Sequence, residues 1–306
     1  MTKFGIHISK DTVFGDYGTI GDAINHITSE YDLDLCQIFT HGPQTRTRTH
    51  YDAEHIRKLD KADIYVHATY ITDGYWTAVE EKGKPRLRGY YKHIQDQLNS
   101  VAEIGGKGLV FHITRITIPM IISGANLIAK NVKQPHGVKI IFEFRAMKPG
   151  ADCSYERAER VNELAAELSK VNIDWGFCID TSHMWSTGVP MDKVAVVENW
   201  FRELKCANRI KLFHLNAANK NTFAVGQDVH VIPFAPDDDI WGPLTKTTDP
   251  AKLSDADFKK IQASTLGILL RWAKKHNVSI VGEWKRGSKE QFIFAIKIIK
   301  RLLHQS

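Results

Sequence analysis

The fold class the sequence predicts is α/β: a (β/α)8 TIM barrel with long loops on the face where its strands end. Three observations predict it. Eight short apolar, β-branched runs alternate with longer stretches of helical period, the pattern of a parallel sheet wrapped by helices. The chain has 306 residues, a length that accommodates eight such units. No low-complexity linker divides it, so residues 1–306 read as one barrel domain. An open doubly wound sheet is the alternative, weakened because no Gly-rich phosphate turn follows the first strand.

The elements follow in order. Lys3–Ser9 alternates like a strand. Ile20–Glu30 is a helix with Ile20, Ala23, Ile24 and Ile27 on one face. Leu33–Phe39 and Ile64–His67 are the next strands, and Thr72–Gly89 reads as a long irregular stretch carrying Tyr75, Trp76 and a Lys/Arg group. Lys92–Ile104 is a helix through Ile94, Leu98, Val101 and Ile104; Gly108–His112 and Lys139–Phe144 are strands. Tyr155–Val171 is a helix through Ala158, Val161, Leu164, Ala165 and Leu168, leading to strands Asp174–Ile179 and Ile210–Leu215. Val229–Asp255 is the second long irregular stretch, with four prolines and the run Asp237-Asp238-Asp239. Helix Phe258–Lys275, strand Ser279–Glu283 and helix Gln291–Leu303 complete the pattern. Long loops after barrel strands are where an active face is built.

Composition narrows the class. The hydrophobic fraction is 43%, enough for a sizeable core. A net charge of +6 and a pI near 9.0 suit a polyanionic partner without demanding one. No cleavage-site pattern follows Met1, and no apolar run approaches a membrane span, so an intracellular protein with no membrane partner is expected. Cys36, Cys153, Cys178 and Cys206 lack CxxC spacing and read as reduced thiols.

The strand ends carry the chemistry. Successive apolar runs finish in His67, His112, Glu143, Asp180, His214 and Glu283, with His183 just after Asp180 and an Asp228/His230 pair beyond His214. A lone histidine or carboxylate at such a place is usually a structural residue or a helix cap. Six in a row at equivalent positions would bring charged groups to one mouth, where unpaired burial costs several kcal/mol. Cations would supply the pairing. Five imidazoles and four carboxylates without cysteine suit Zn2+, with Mn2+ or Fe as competitors. Nine ligands are too many for two tetrahedral ions; with one carboxylate bridging they suit three, leaving a positive surplus that attracts a phosphodiester.

At these residues the sequence resembles an AP endonuclease of the endonuclease IV family (AP endonuclease family 2), from Phe4 to Glu283. The matching segments are "FGIHIS", "VHATYI", "GLVFH", "IIFE", "GFCIDTSHMWSTG", "LFHLN", "DVH" and "IVGE". The fuller "CIDTSHMWSTGV" looks most like versions from large DNA viruses. The resemblance implies a trinuclear zinc site: His67, His112 and Glu143 on the first ion; Glu143, Asp180, His214 and Glu283 on the second; His183, Asp228 and His230 on the third. It implies hydrolysis 5′ to an abasic site in double-stranded DNA, leaving a 3′-hydroxyl, within base excision repair. A hydroxide between the first two ions would attack, the third would stabilise the leaving oxygen, and Glu143 and Glu283 would be the catalytic carboxylates.

DNA contacts are implied at His7 and at Tyr70 and Ile71, which match a minor-groove wedge. A rim-packing aromatic and a hydrogen-bonded strand histidine are the alternatives. Where the family has an inserting Arg, this chain has Gln44, with Arg46 and Arg48 nearby, and Arg145 fits either a phosphate or a salt bridge. Ala217 stands where the family has Asp, so the surroundings of His214 must differ. Asp237–Asp239 reads as a solvated acidic loop. The expected state is a monomer acting in the cytoplasm or nucleus. The rivals are a sugar isomerase or epimerase on the same barrel, needing only Glu143, Asp180, His214 and Glu283, and a non-catalytic DNA-binding barrel.

Overall fold

The computed structural model describes residues 2–59, 62–82, 84–114, 117–150, 157–247, 249–284 and 287–305. Eight strands close into a barrel: β1 (Phe4–His7), β2 (Leu35–Ile38), β3 (Asp63–His67), β4 (Gly108–Ile113), β5 (Lys139–Phe144), β6 (Trp175–Asp180), β7 (Ile210–His214) and β8 (Ser279–Gly282). Each pairs in parallel with the next, and β8 pairs with β1. The predicted fold class is the observed one. All eight strands appear within a few residues of the expected bounds.

Side-chain alternation splits the core in two. Outward residues such as Ile64, Val66, Leu109, Phe111, Phe142 and Phe177 pack against the helices in one large cluster. Inward residues Leu35, Tyr65, Val110, Ile141, Cys178, Leu212 and Val281 form a second, smaller cluster inside the barrel. On β1 the matching inward position is Gly5, where a Cβ would sit 1.7 Å from the Leu35 carbonyl oxygen. Only glycine lets β1 and β2 approach there.

The helices are α1 (Ile20–Glu30), α2 (Ala53–Arg57), α3 (Gly74–Glu80), α4 (Lys84–Glu103), α5 (Ile118–Asn131), α6 (Ala158–Leu168), α7 (Thr181–Ser186), α8 (Val194–Glu203), α9 (Asp255–Ala263), α10 (Thr265–His276) and α11 (Lys289–Gln305). Among the described residues no helix is long and apolar enough to cross a membrane.

Two expectations are corrected, and a third is observed over its described residues. Thr72–Gly89 is not irregular: a 3-10 turn (Tyr70–Asp73), α3 and the start of α4 occupy its described residues. Its aromatics drive that folding, since Tyr75 and Trp76 are buried and close on Gly124 of α5. Phe258–Lys275 is two helices, broken at Ser264, whose extended ψ of 176° caps one and opens the other. The helix expected over Tyr155–Val171 is observed as Ala158–Leu168; Tyr155, Glu156 and Cys153 lie outside the described residues. Cys36, Cys178 and Cys206 are buried free thiols.

Candidate metal centre

Two residues beyond the inner apolar layer, each strand again points a side chain into the barrel. Adding two to Gly5, Leu35, Tyr65, Val110, Ile141, Cys178, Leu212 and Val281 gives His7, Gln37, His67, His112, Glu143, Asp180, His214 and Glu283. The apolar layer is thus a floor, and a polar ring stands on it. Strand register brings His112 level with Glu143, and Asp180 level with His214.

Three donors come from outside the ring. Asp180 ends β6 and also caps α7: its Oδ1 accepts from the Ser182 and His183 N–H groups, at 2.7 and 3.0 Å. That cap holds His183 over the ring. Asp180 Oδ2 accepts from Asn216 Nδ2 at 2.8 Å, and Asn216 Oδ1 accepts the Glu283 N–H at 3.1 Å. The chain after β7 returns through an Ala217–Val231 bridge, which brings Asp228 and His230 alongside. Asp228 Oδ1 lies 3.3 Å from His183 Nε2 and 2.9 Å from His230 Nε2.

The donor atoms assemble in groups. His67, His112 and Glu143 form one; Glu143, Asp180, His214 and Glu283 a second; Asp180, His183 and His230 a third, each with its ligand atoms within 4.8 Å of one another. Glu143 belongs to the first two. Its Oε2 is 3.6 and 3.5 Å from the Nε2 atoms of His67 and His112, and its Oε1 is 3.1 Å from His214 Nδ1. The nine residues expected as ligands therefore meet at one mouth. Cys178 with Glu143 and His214 makes a further group that the scattered cysteines did not suggest.

Ring protons are assigned by partners on the far side of each imidazole. Nδ1 of His67 donates to the Ala68 carbonyl at 2.6 Å, and Nδ1 of His183 to that of Phe144 at 3.0 Å. His230 Nδ1 is 3.3 Å from the Glu283 carbonyl. Each leaves Nε2 toward the cluster. His112 Nδ1 faces Asp73 Oδ1 at 3.3 Å, while Trp76 Nε1 donates to the His112 carbonyl at 2.6 Å and fixes its backbone. His214 is reversed: Nε2 faces Gln37 and Nδ1 faces the carboxylates.

Among the described residues, eight buried atoms in and around this mouth have no hydrogen-bond partner: both oxygens of Glu143, His112 Nδ1, Asp73 Oδ1, His183 Nε2, His214 Nδ1, Asp228 Oδ1 and His230 Nε2. Leaving such atoms unsatisfied costs about 1–3 kcal/mol each. Ion-free, the groups share charge instead. Burial opposes a charge on His112, yet Glu143 and Asp73 push it up to about 10. Against the same burial, Asp180 and Asp228 push His183 up to about 9. His214 and His230 are also raised despite burial, the first by Cys178 and Glu143, the second by Asp180 and Asp228. Burial would lift Glu143 and Glu283, but the neighbouring imidazoles, His214 foremost, hold both well below the usual carboxylate range. An imidazole and carboxylate set with unused lone pairs converging on common points fits divalent cations of the zinc type.

A cleft of about 990 Å3, lined in part by His7, Phe39, Pro43, Tyr70 and Glu283, opens beside the cluster. His7 lies in the ring, with Phe39 5.0 Å away. Tyr70 stacks on His112 at 5.8 Å and 21°, so this rim aromatic covers a candidate ligand, with Ile71 half-buried beside it. The Tyr70 N–H donates to the Pro43 carbonyl at 2.8 Å, which ties this rim to the exposed turn carrying Gln44 and Arg46. Arg46 lies over Tyr90, and Arg48 pairs with Glu103.

Two readings of loop charges change. Arg145 pairs with Asp73 at 2.6 Å, so of its two alternatives the salt bridge is observed. The acidic run is solvated at Asp237 and Asp239 but not at its centre, because Asp238 is buried. Its Oδ2 accepts from the Phe234 N–H at 2.7 Å and its Oδ1 from those of Ile240 and Trp241 at 2.8 and 3.0 Å. The carboxylate organises this loop because its backbone donors lack other partners. Sequence reasoning missed Gln37, Asp73 and Asn216. Counting two residues on from the inward Leu35 would have found Gln37.

No protein-family model matches the chain. A protein of African swine fever virus (isolate Tick/Malawi/Lil 20-1/1983) named a probable AP endonuclease is 26% identical over 272 residues, covering 85% of this chain and 82% of the viral one. Among solved structures, AsfvAP:AG matches with a TM-score of 0.80 at 24% identity, covering 99% of both chains. Endonuclease IV from Thermus thermophilus matches at 0.67 and 16% identity, covering 99% of this chain and 100% of that one. A D-tagatose 3-epimerase-like protein matches at 0.60 and 16% identity, covering 99% and 98%. The viral resemblance read from the motifs recurs in these comparisons. The structural likenesses establish the barrel, and nuclease and epimerase share it.

Proposed function

We propose that this chain is a zinc-dependent AP endonuclease: a hydrolase that breaks the phosphodiester 5′ to an abasic site in duplex DNA and leaves a 3′-hydroxyl. The observation that carries the proposal is the convergence of nine imidazole and carboxylate residues in three groups around Glu143. A sugar epimerase on this barrel has use for Glu143, Asp180, His214 and Glu283, but none for His67, His112, His183, Asp228 and His230. A DNA-binding barrel without catalysis has no use for the buried charges. The viral relative's name points the same way.

His67, His112 and Glu143 would hold one cation, Glu143, Asp180, His214 and Glu283 a second, and His183, Asp228 and His230 a third. Bound divalent ions supply Lewis-acid polarisation of the phosphate, an activated water and charge neutralisation at the departing oxygen. Glu143, shared by two groups, fixes their separation. Glu283 presents Oε2 to His214 and would orient the attacking water. Asp180 caps α7 and thereby sets the distance from the second group to His183. Tyr70 and His7 line the cleft and would meet DNA, together with Ile71 and with Gln44 and Arg46 of the exposed turn. An abasic nucleotide enters cheaply, having no base to unstack.

The test is a labelled duplex with one abasic site, incubated with the metal-replete chain, with metal analysis of the same sample. The expected outcome is a single incision 5′ to the site, a terminus that a polymerase extends, and about three zinc ions per chain by the donor count. A replete sample that interconverts ketoses and leaves the duplex intact overturns the proposal.

A further inference from the structure

Gln37 is the one uncharged amide in the inner polar ring. It is fully buried, on β2 between His7 of β1 and Tyr65 of β3. Its Oε1 lies 2.9 Å from His214 Nε2. Its Nε2 donates to Glu283 Oε1 and lies 3.3 Å from His7 Nδ1. A primary amide has one accepting end and one donating end. The carboxylate of Glu283 can only accept, so the donating end must face it. The accepting end then faces His214 Nε2, which must carry the ring proton.

The consequence lies on the other side of each partner. With Nε2–H held by Gln37, the proton His214 gives up to a cation is the one on Nδ1, which lies 3.1 Å from Glu143 Oε1 and 3.0 Å from Glu283 Oε2. With Oε1 engaged by the amide, Glu283 turns Oε2 inward. We propose that Gln37 is the positioning residue of the second donor group, assigning His214 Nδ1 and Glu283 Oε2 to the cation with a single side chain. This rests on reading the cluster as a metal centre. Carbonyl groups orient His67, His183 and His230, and Asp73 faces His112. His214 is the imidazole of this set whose partner is a neutral side chain. Neutrality matters, because a carboxylate at 37 would satisfy His214 but place its other oxygen against Glu283.

The experiment compares the full-length chain with Gln37→Met and Gln37→Glu, titrated with zinc against a competing chelator. The ring tautomer of His214 is read in parallel by nitrogen NMR of the zinc-loaded chain. The parent is expected to show a His214 proton on Nε2. Both variants are expected to bind one zinc equivalent about 10–100-fold more weakly, with the other equivalents little changed. The loss in Gln37→Glu, despite a retained partner for His214, separates positioning from simple packing. Unchanged affinity in both variants overturns the proposal, and so does a parent His214 protonated on Nδ1, which needs no variant to fold. A parent that binds no zinc removes the metal-centre reading as well. A parent that binds zinc while both variants match it removes the role of Gln37 alone.

Discussion

Metal uptake by this chain should expel protons, and the number follows from the buried imidazoles. Without ions, the carboxylates hold His112 up to about 10 and His183 up to about 9, with His214 and His230 also above the ordinary histidine range. His112 and His183 are therefore imidazolium at pH 7. A cation needs the imidazole lone pair, so each must give up one proton. Glu143, Glu283 and Asp228 are held low and have none to give. Full loading at pH 7 should release at least about two protons per chain, from His112 and His183, and the overall loading constant should rise by at least roughly two decades per pH unit near neutrality. Calorimetric titration in buffers of different ionisation enthalpy counts the protons. Release of less than about one proton would refute the picture of a carboxylate-charged histidine cluster. The same shifts give a stability sign. Raised histidine pKa values stabilise the ion-free fold fully below the unfolded value near 6.5, and that share is lost as pH rises through about 9 to 10. The ion-free chain should thus unfold at lower urea at pH 10 than at pH 7.

Three further outcomes follow from single sites. His183→Ala should lose about one zinc equivalent and most of the cleavage rate while duplex affinity changes less, since one donor is removed from one group; equal metal content in variant and parent would contradict it. Asp238→Asn should lower stability by about 1–3 kcal/mol in urea unfolding, because its amide NH2 must face either the Phe234 N–H or those of Ile240 and Trp241; an unchanged midpoint would count against the buried-organiser role. Duplex binding should weaken steeply as salt rises, through phosphate contacts, and a flat response would exclude them.

The candidate ligands were legible because a barrel strand changes character once, where it leaves the apolar layer. His67, His112, Glu143, Asp180, His214 and Glu283 are conspicuous because each follows an apolar run on its strand. Gln37 was not, because Ile38 and Phe39 follow it and make β2 look longer than it is. Asp73 was hidden in a stretch whose helices depend on tertiary packing of Tyr75 and Trp76, not on periodicity. The break at Ser264 escaped because apolar spacing continues from Ile261 to Leu266 across it. Asp180 shows why single-residue alternatives mislead: cap and ligand were weighed as rivals, and one oxygen caps α7 while the other faces the cluster.

The apolar floor also governs traffic. Leu35, Tyr65, Val110, Ile141, Cys178, Leu212 and Val281 seal the barrel beneath the ring, which makes the ring the bottom of a blind well. Among the described residues, the cleft rimmed by Tyr70 and the Pro43 turn opens onto the ring and gives ions, water and protons a way in and out. On the proposed function, a duplex lying across that mouth would close this opening, so the cations would have to be aboard before the nucleic acid arrives. A chelator that strips the free chain should then act far more slowly on the complex, giving the enzyme an obligatory order of assembly.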